Sequence, residues 1–123
     1  AELIKLKKKP KVKSKKKMIE FEDFEKLDLR VAEVLSVEDH PDADKLYVLK
    51  VDLGDEQRQI VAGLKQYYKP EELKGKKLVL IANLKPIKLR GVESQGMLLA
   101  AGKDEKVVFL SPEKDIENGS VVG

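Results

Sequence analysis

The fold class is decided by residues 30–63, RVAEVLSVEDHPDADKLYVLKVDLGDEQRQIVAG, in which three apolar runs are separated by two polar turns. The first run, RVAEVLSVED, has an apolar alternation that slips once, which indicates a strand with a β-bulge. Pro41 and the aspartates of HPDAD indicate a turn, and GDEQ indicates the next one. The strands KLYVLKVDLG and RQIVAG flank this second turn. The stretch therefore predicts a meander of three β-strands.

The segments around the meander add short helices and further strands. FEDFEKLDL (21–29) spaces its apolar residues three apart, which predicts a short amphipathic helix or turn. KPEELKGKK (69–77) predicts a helix that begins near Pro70 and ends at Gly75. The apolar run KLVLIANL (77–84) predicts a strand that continues past Pro86 into GMLLAAG. VVFLSP (107–112) predicts a last strand before a turn-rich end.

This order of elements fits an all-β protein, a five-stranded OB-fold barrel with short helices and extra β material at the C-terminus. An SH3-like barrel fits the spacing almost as well. We expect one domain over residues 18–123, because the chain is too short for a second core.

The composition excludes several kinds of site. Charged residues make up 38% of the 123 residues against a usual value of roughly 25%, and the excess of Lys and Glu resembles thermophile surfaces. The absence of Cys excludes disulfides, thiolate catalysis and cysteine zinc sites, and the lone His40 leaves little for a metal cluster. No run approaches the roughly 18 apolar residues of a membrane helix. We expect a soluble cytoplasmic protein without metal or cofactor.

Positive charge is concentrated in two parts of the chain. Residues 1–17 hold nine Lys and one Glu, which predicts a disordered tail or linker. A polyanion-binding arm, a nuclear address and a membrane-surface patch are alternatives for this tail. Residues 65–90 hold eight cations against Glu71 and Glu72, whereas residues 18–64 are strongly acidic. Because the chain begins with Ala, we expect it to be a piece of a longer protein.

The stretch NLKPIKLRGVESQGMLLAA (83–101) is the main candidate site. If it were an extended strand, its cations would lie on both faces, so a connecting loop at the barrel rim is favoured. Arg90 offers a planar donor fork, and Met97 an adaptable apolar surface. Together with neutral polar groups these could bind a ribose-phosphate backbone and an unstacked base; a solvated hairpin whose glycines serve turns is the alternative. The remaining candidates are Asn83, Lys85, Lys88, Ser94 and Gln95.

HPDADKL (40–46) is the second dense segment. It lacks the Gly and Glu of a calcium loop, so we expect its aspartates to cap their own turn with His40 at its edge. A hydrolase using His40 would need a nucleophile elbow, and none surrounds any Ser. Tyr47 is the one obvious strand aromatic for base stacking, so folded RNA fits this chain better than a bare single strand.

Four segments carry a resemblance to a known family: HPDADKLYV (40–48), IVAGL (60–64), YYKPEELKGKKLVLIANLKP (67–86) and LRGVESQGMLLAA (89–101). They resemble the tRNA-binding domain found at the C-terminus of methionyl-tRNA synthetases, in free-standing tRNA-binding proteins and in the endothelial monocyte-activating cytokines. The resemblance covers roughly residues 19–123 and favours the OB barrel over the SH3-like one.

The resemblance implies a non-catalytic module that binds the outer corner of tRNA by shape rather than sequence. It also implies a C-terminal β extension that builds a homodimer, and attachment to the catalytic body of a synthetase through the lysine-rich tail. Matching positions are Lys45, Asn83, Arg90, Ser94 and Met97, and less directly Lys85, Lys88 and Gln95. A chaperone-like dimeric interaction module is the alternative, since a relative of this family is an export chaperone.

Overall fold

A computed structural model describes residues 16–123 of the chain, and all but the end of the lysine-rich tail predicted for residues 1–17 lies outside them. Most of the regular secondary structure of the described chain is β-strand. Ten short strands follow one another: β1 (Leu29–Asp39), β2 (Tyr47–Asp52), β3 (Gln57–Ala62), β4 (Lys77–Ile81), β5 (Ile87–Leu89), β6 (Val92–Ser94), β7 (Met97–Leu98), β8 (Ala100–Lys103), β9 (Lys106–Phe109) and β10 (Val121–Val122). Two short helices, α1 (Phe21–Glu25) and α2 (Pro70–Leu73), accompany them.

The main sheet has the strand order β3-β2-β1-β4-β7 with β10 also paired to β1, and all of its pairs are antiparallel. β1 passes from one partner to the other, since its first half pairs with β4 and its second half with β2. The register shifts between Val34 and Ser36, which is the predicted bulge. A bulge bends its strand and increases the local twist, so the sheet curls into a half-barrel. The predicted meander and the OB-like fold are confirmed.

The inner face of the curled sheet forms the core. Apolar residues at every second position of β2 and β4 point inward, including Leu49, Leu78 and Leu80, and β3 contributes Ile60. Burying one such side chain stabilises the fold by about 1.5–3 kcal/mol. The alternation seen in the sequence therefore reports the burial of one sheet face.

β4 is apolar on both faces. Its other residues, Val79 and Ile81, lie outside the barrel core and form a second cluster with Leu29. The partly buried residues packed on that cluster are Met97, Leu99 and Val122. We call these six residues the outer cluster. It explains why residues 78–81 of β4, LVLI, are a continuous apolar run.

Three expectations about elements need correction. β4 ends at Ile81, and residues 87–94 form a separate hairpin instead of continuing that strand. The turn-rich C-terminal segment contains β10, whose pairing with β1 involves only two residues and gives no pattern in the sequence. The predicted helix at residues 21–25 is present, but none of its residues is buried, so its apolar side chains do not enter the core.

Candidate nucleic-acid interface

The turn between β1 and β2 is organised by His40. The His40 ring is buried, with an exposed fraction of 5%, and its Nδ1 accepts a hydrogen bond of 2.9 Å from the Asp42 backbone N–H. The backbone N–H of His40 donates to Leu46 and that of Leu46 donates to Ala43. The expectation that aspartates cap this turn is therefore wrong: the side-chain acceptor for the turn is His40.

The hairpin of β5 and β6 is closed by the two residues Arg90 and Gly91. Leu89 pairs with Val92, and both loop residues have positive φ, 52° at Arg90 and 90° at Gly91. Two successive positive φ values are the geometry of a type I′ turn, whose twist matches that of the flanking strands. Gly91 supplies this conformation without strain, whereas Arg90 adopts it at a cost. The hairpin projects Lys88 and Arg90 into solvent.

The turn and the hairpin are held against each other by side-chain hydrogen bonds. His40 Nε2 lies 2.9 Å from the carbonyl oxygen of Leu89, and Arg90 Nη2 donates to the carbonyl oxygen of Asp42 at 3.0 Å. Between the two segments is an open groove of about 510 Å³. Its lining residues are Ala43, Asp44, Lys45, Leu46, Lys88, Leu89 and Arg90. We call it the cation groove.

Of the eight candidate residues, three meet in this groove: Lys45, Lys88 and Arg90. Lys45 and Lys88 are exposed, and within residues 16–123 neither ammonium forms an ion pair. Lys65, by contrast, pairs with Asp39 at 3.2 Å. Uncompensated cations that converge from two segments produce a local positive field suited to an anionic ligand.

Ser94 lies inside the fold. Its exposed fraction is 3%, its Oγ accepts from the Val61 backbone N–H at 3.0 Å, and its O–H donates to the Gly96 carbonyl oxygen at 3.1 Å. The hydroxyl thus satisfies a backbone amide of β3 that would otherwise be buried without a partner. Ser94 fixes the end of the hairpin to the barrel.

Gln95 makes a similar connection to β3. Its Oε1 accepts from the Gln59 backbone N–H at 3.0 Å, and its own N–H donates to the Gln59 carbonyl oxygen at 2.8 Å. The Gln59 side chain in turn donates to the Glu93 carbonyl oxygen. Arg58 completes the junction, because one of its guanidinium nitrogens donates to the carbonyl oxygens of both Ala82 and Gln95. Arg58 and Gln59 thus hold the hairpin to the barrel, and sequence reasoning missed both of them.

Asn83 also forms structural contacts. Its Oδ1 accepts from the Asp28 backbone N–H at 2.9 Å, and its Nδ2 donates to the Lys26 carbonyl oxygen at 2.7 Å. Both ends of this amide are therefore occupied by the segment that follows α1. Although the residue is exposed, these two bonds hold it toward the barrel rather than toward a ligand.

Lys85 and Met97 lie next to the cation groove rather than in it. They line a smaller depression of about 40 Å³ that also contains Ile87, Leu89 and Ser94. Leu89 lines both spaces, so the two sites share one wall. The four cations among the eight candidates are thus exposed. The three neutral polar candidates, Asn83, Ser94 and Gln95, instead bond to the backbone of other segments of the fold.

Tyr47, the aromatic expected to be available for stacking, is part of the core. Its ring is buried and its hydroxyl donates to the Tyr68 carbonyl oxygen at 2.7 Å. Burial, aided by the Asp39 carboxylate, raises the pKa of Tyr47. Tyr68 packs against Phe109, with ring centroids 5.1 Å apart. In the part of the chain that the structure describes, no aromatic residue lines the cation groove.

Comparison with known proteins identifies the family. Residues 29–121 match the tRNA_bind family model, described as "Putative tRNA binding domain". The chain belongs to the tRNA-binding domain family. The matched segment runs from β1 to β10 and contains both halves of the cation groove.

Similar proteins include methionine–tRNA ligases of archaea. The chain is 63% identical over 110 residues to the ligase of Thermococcus kodakarensis, which covers 88% of this chain and 15% of that protein. It is 55% identical over 107 residues to the ligase of Archaeoglobus fulgidus, with 87% and 16% covered. The chain thus spans less than a fifth of the length of these relatives. It corresponds to a small, non-catalytic binding domain of such proteins.

Solved structures share the fold. A MetRS related protein from Pyrococcus horikoshii matches with a TM-score of 0.82 at 38% identity, covering 88% of this chain and 100% of that one. The chaperone CsaA from Bacillus anthracis matches with a TM-score of 0.79 at 31% identity, covering 87% and 100%. Among residues 16–123, no helix is long and apolar enough to cross a membrane.

Proposed function

We propose that the chain is a tRNA-binding module that raises the tRNA affinity of a methionyl-tRNA synthetase. The observation that carries the proposal is the convergence of Lys45, Lys88 and Arg90 on one groove built from two separate segments. Such cations bind phosphates with little dependence on base sequence. The family of the chain and its archaeal ligase relatives favour tRNA as the polyanion.

The expected mode of binding is recognition of shape. Among residues 16–123, no aromatic side chain lines the groove, so the successive bases of a disordered strand have no series of stacking platforms there. The turn and the hairpin are joined by hydrogen bonds, and the cations that they carry converge on one groove. This arrangement suits a polyanion whose phosphates already have fixed positions, as in folded tRNA. We infer that the outer corner of the tRNA occupies this face and that Lys85 extends the contact. Ser94 and Gln95 then act by positioning the hairpin, whereas Asn83 holds the segment that follows α1.

The module would act through its attachment to a larger protein. We propose that residues 1–17 link the domain of residues 18–123 to the catalytic body of a cytoplasmic synthetase. A tethered second site raises the local concentration of tRNA without new contacts at the catalytic site. The expected result is a lower KM for tRNA with little change in kcat.

We further propose that the module is a homodimer formed through the outer cluster. Leu110 is exposed, and its backbone N–H bonds to the carbonyl oxygen of Leu99 in that cluster. Val121, beside Val122, is also exposed. Apolar patches of this kind mark interaction surfaces.

Analytical ultracentrifugation at micromolar concentration tests the dimer. We expect the wild type to sediment as a dimer and Leu110→Asp to dissociate it. A wild-type monomer of 13.9 kDa would contradict the proposal.

Filter binding tests the tRNA proposal. Folded tRNA should bind more tightly than heat-unfolded tRNA of the same sequence, and tRNAs of different sequence should bind alike. If about four phosphates are contacted, the log–log salt slope should be about −3 to −4. Arg90→Gly, which keeps the positive φ, should weaken binding by about 1–3 kcal/mol. Equal binding of folded and unfolded tRNA would remove the proposal.

A chaperone-like module is a second candidate, because the CsaA chaperones share this fold at 31% identity. The exposed apolar side chains of α1, Phe21 and Phe24, offer a surface for unfolded polypeptide. Competition distinguishes the two functions. If an unfolded polypeptide displaces tRNA and binds more tightly than tRNA does, the chaperone function is the correct one.

A further inference from the structure

We propose that the cation groove holds one unpaired nucleotide, with its base inside the groove and its phosphate against the exposed cations. This inference rests on the proposed function and adds to it the class of tRNA feature that is bound. A looped-out or unstacked nucleotide would enter the groove, whereas nucleotides in a regular duplex would not.

The size and lining of the groove suit a base. Its volume of about 510 Å³ lies within the roughly 300–1,000 Å³ of small-molecule sites. Ala43, Leu46 and Leu89 contribute apolar surface to the lining. An unstacked base has lost contact with its neighbours in the stack, and apolar side chains can cover its faces. Apolar side chains offer a phosphate neither a hydrogen bond nor a positive charge, so they do not stabilise it.

Exposure divides the lining of the groove into two environments, because Leu46 is buried and Leu89 is half-buried, whereas the charged lining residues are exposed. Asp44 belongs to the lining, and nothing in residues 16–123 pairs with its carboxylate or donates a hydrogen bond to it. An uncompensated carboxylate repels a phosphate that enters the groove. Lys45, Lys88 and Arg90 are exposed and attract the phosphate to their solvent-facing ends. The phosphate therefore stays at the exposed cations, away from Asp44, and the neutral base lies against the apolar side chains of Leu46 and Leu89.

The walls of the groove are set before any ligand binds. His40 and Arg90 each donate to a carbonyl oxygen of the opposite segment, at 2.9 Å and 3.0 Å. These two bonds fix the separation between the turn and the hairpin. A preformed site avoids the cost of ordering its loops on binding, so a single nucleotide can contribute measurably to affinity.

Filling the groove tests the inference. Ala43 lines it and has a negative φ, so larger side chains are compatible with its backbone. We would measure the Kd of wild type, Ala43→Leu and the smaller Ala43→Val for folded tRNA and for a fully paired RNA duplex. Ala43→Leu should weaken tRNA binding about tenfold, the fold-change that corresponds to about 1.4 kcal/mol, and Ala43→Val should weaken it less. Duplex affinity and the salt slope should not change.

Ala101→Leu is the matched control, because Ala101 is exposed on β8 and lines a different groove. Ala101→Leu should change neither the Kd for folded tRNA nor the Kd for the RNA duplex. Thermal unfolding of each variant establishes that it is folded. If Ala43→Leu does not fold, the test uses Ala43→Val instead. Unchanged tRNA binding by a folded Ala43 variant, or equal losses on tRNA and duplex, would overturn the nucleotide site alone. Failure of the wild type to prefer folded tRNA would overturn the proposed function as well.

Discussion

His40 Nε2 lies 2.9 Å from the carbonyl oxygen of Leu89, and this contact joins the two segments that carry the cations of the groove. On the other side of the ring, Nδ1 accepts from the Asp42 N–H at 2.9 Å. Because Nδ1 is an acceptor, the proton of the neutral imidazole is on Nε2, which donates to Leu89. One buried ring therefore connects the β1–β2 turn to the β5–β6 hairpin.

We predict that His40→Ala destabilises the protein by about 1–3 kcal/mol, because it leaves the Asp42 N–H and the Leu89 carbonyl oxygen without this partner. Urea denaturation measures the free energy of unfolding directly. The same variant should weaken tRNA binding while leaving the salt slope unchanged, since every cation is still present. A lower salt slope would mean that phosphate contacts had been lost as well.

The matched variant is His40→Gln, whose amide N–H can replace the Nε2 donor toward Leu89. It should recover part of the lost stability and of the lost affinity. If His40→Ala is as stable as the wild type, the contact between turn and hairpin contributes nothing and the groove must be held by other bonds.

We predict that Lys88→Gln reduces the magnitude of the salt slope by about 1, because one phosphate contact is removed. Lys88 is exposed and unpaired within the described chain, so its replacement should leave the unfolding free energy nearly unchanged. Lys103→Gln on β8 is the control for net charge. The two variants carry the same charge, and equal effects on tRNA binding would show that overall charge, not the groove, controls affinity.

The strands could be predicted from the sequence because alternation reports burial on one face of a sheet. The bulge at Val34 was also visible, since an extra residue in a strand shifts the alternation by one. A hairpin is one of the alternatives that the sequence leaves open for residues 83–101, but its bounds at 87–94 could not be predicted. Its geometry depends on φ values at Arg90 and Gly91, and a left-handed Arg is not expected from its residue type.

The roles of the neutral polar residues could not be predicted from the sequence. Ser94 and Gln95 stand among cations, and this neighbourhood suggested ligand contacts. Their partners are backbone groups of Val61 and Gln59, more than thirty residues earlier in the chain. Only the fold shows that those amides of β3 need acceptors. Lys45, Lys88 and Arg90 are exposed, as is usual for long charged side chains.

We predict that Gly96→Ala destabilises the protein more than Gly91→Ala does. Both glycines have positive φ, 136° and 90°, so each substitution costs about 1–3 kcal/mol of backbone strain. A Cβ at Gly96 would in addition lie 2.8 Å from the carbonyl oxygen of Ile81, whereas a Cβ at Gly91 meets nothing within 4 Å. The difference between the two unfolding free energies isolates the steric contribution. Equal losses would show that Ile81 can move away at little cost.

We predict that the stability difference between the wild type and Glu56→Gln becomes smaller as the pH falls. Arg58 Nε donates to Glu56 Oε2 at 2.7 Å, and this hydrogen bond, with the positive charge, lowers the pKa of Glu56 from its ordinary value of 4.5. A carboxyl whose pKa is lower in the folded state stabilises that state above its unfolded pKa, and this contribution is lost as the pH falls through the folded pKa. At pH 7 the wild type should therefore be slightly more stable than Glu56→Gln.

Urea denaturation midpoints at pH 7 and at several values below 4.5 measure this difference. Subtracting the variant from the wild type cancels the titration of all other carboxyls, provided that they do not interact with Glu56. Glu93→Gln is the control, because within residues 16–123 its carboxylate accepts no hydrogen bond and forms no ion pair. It shows the effect of removing a carboxyl that has no such partner. A constant difference for Glu56→Gln would show that Arg58 holds the β3 junction through its backbone contacts alone.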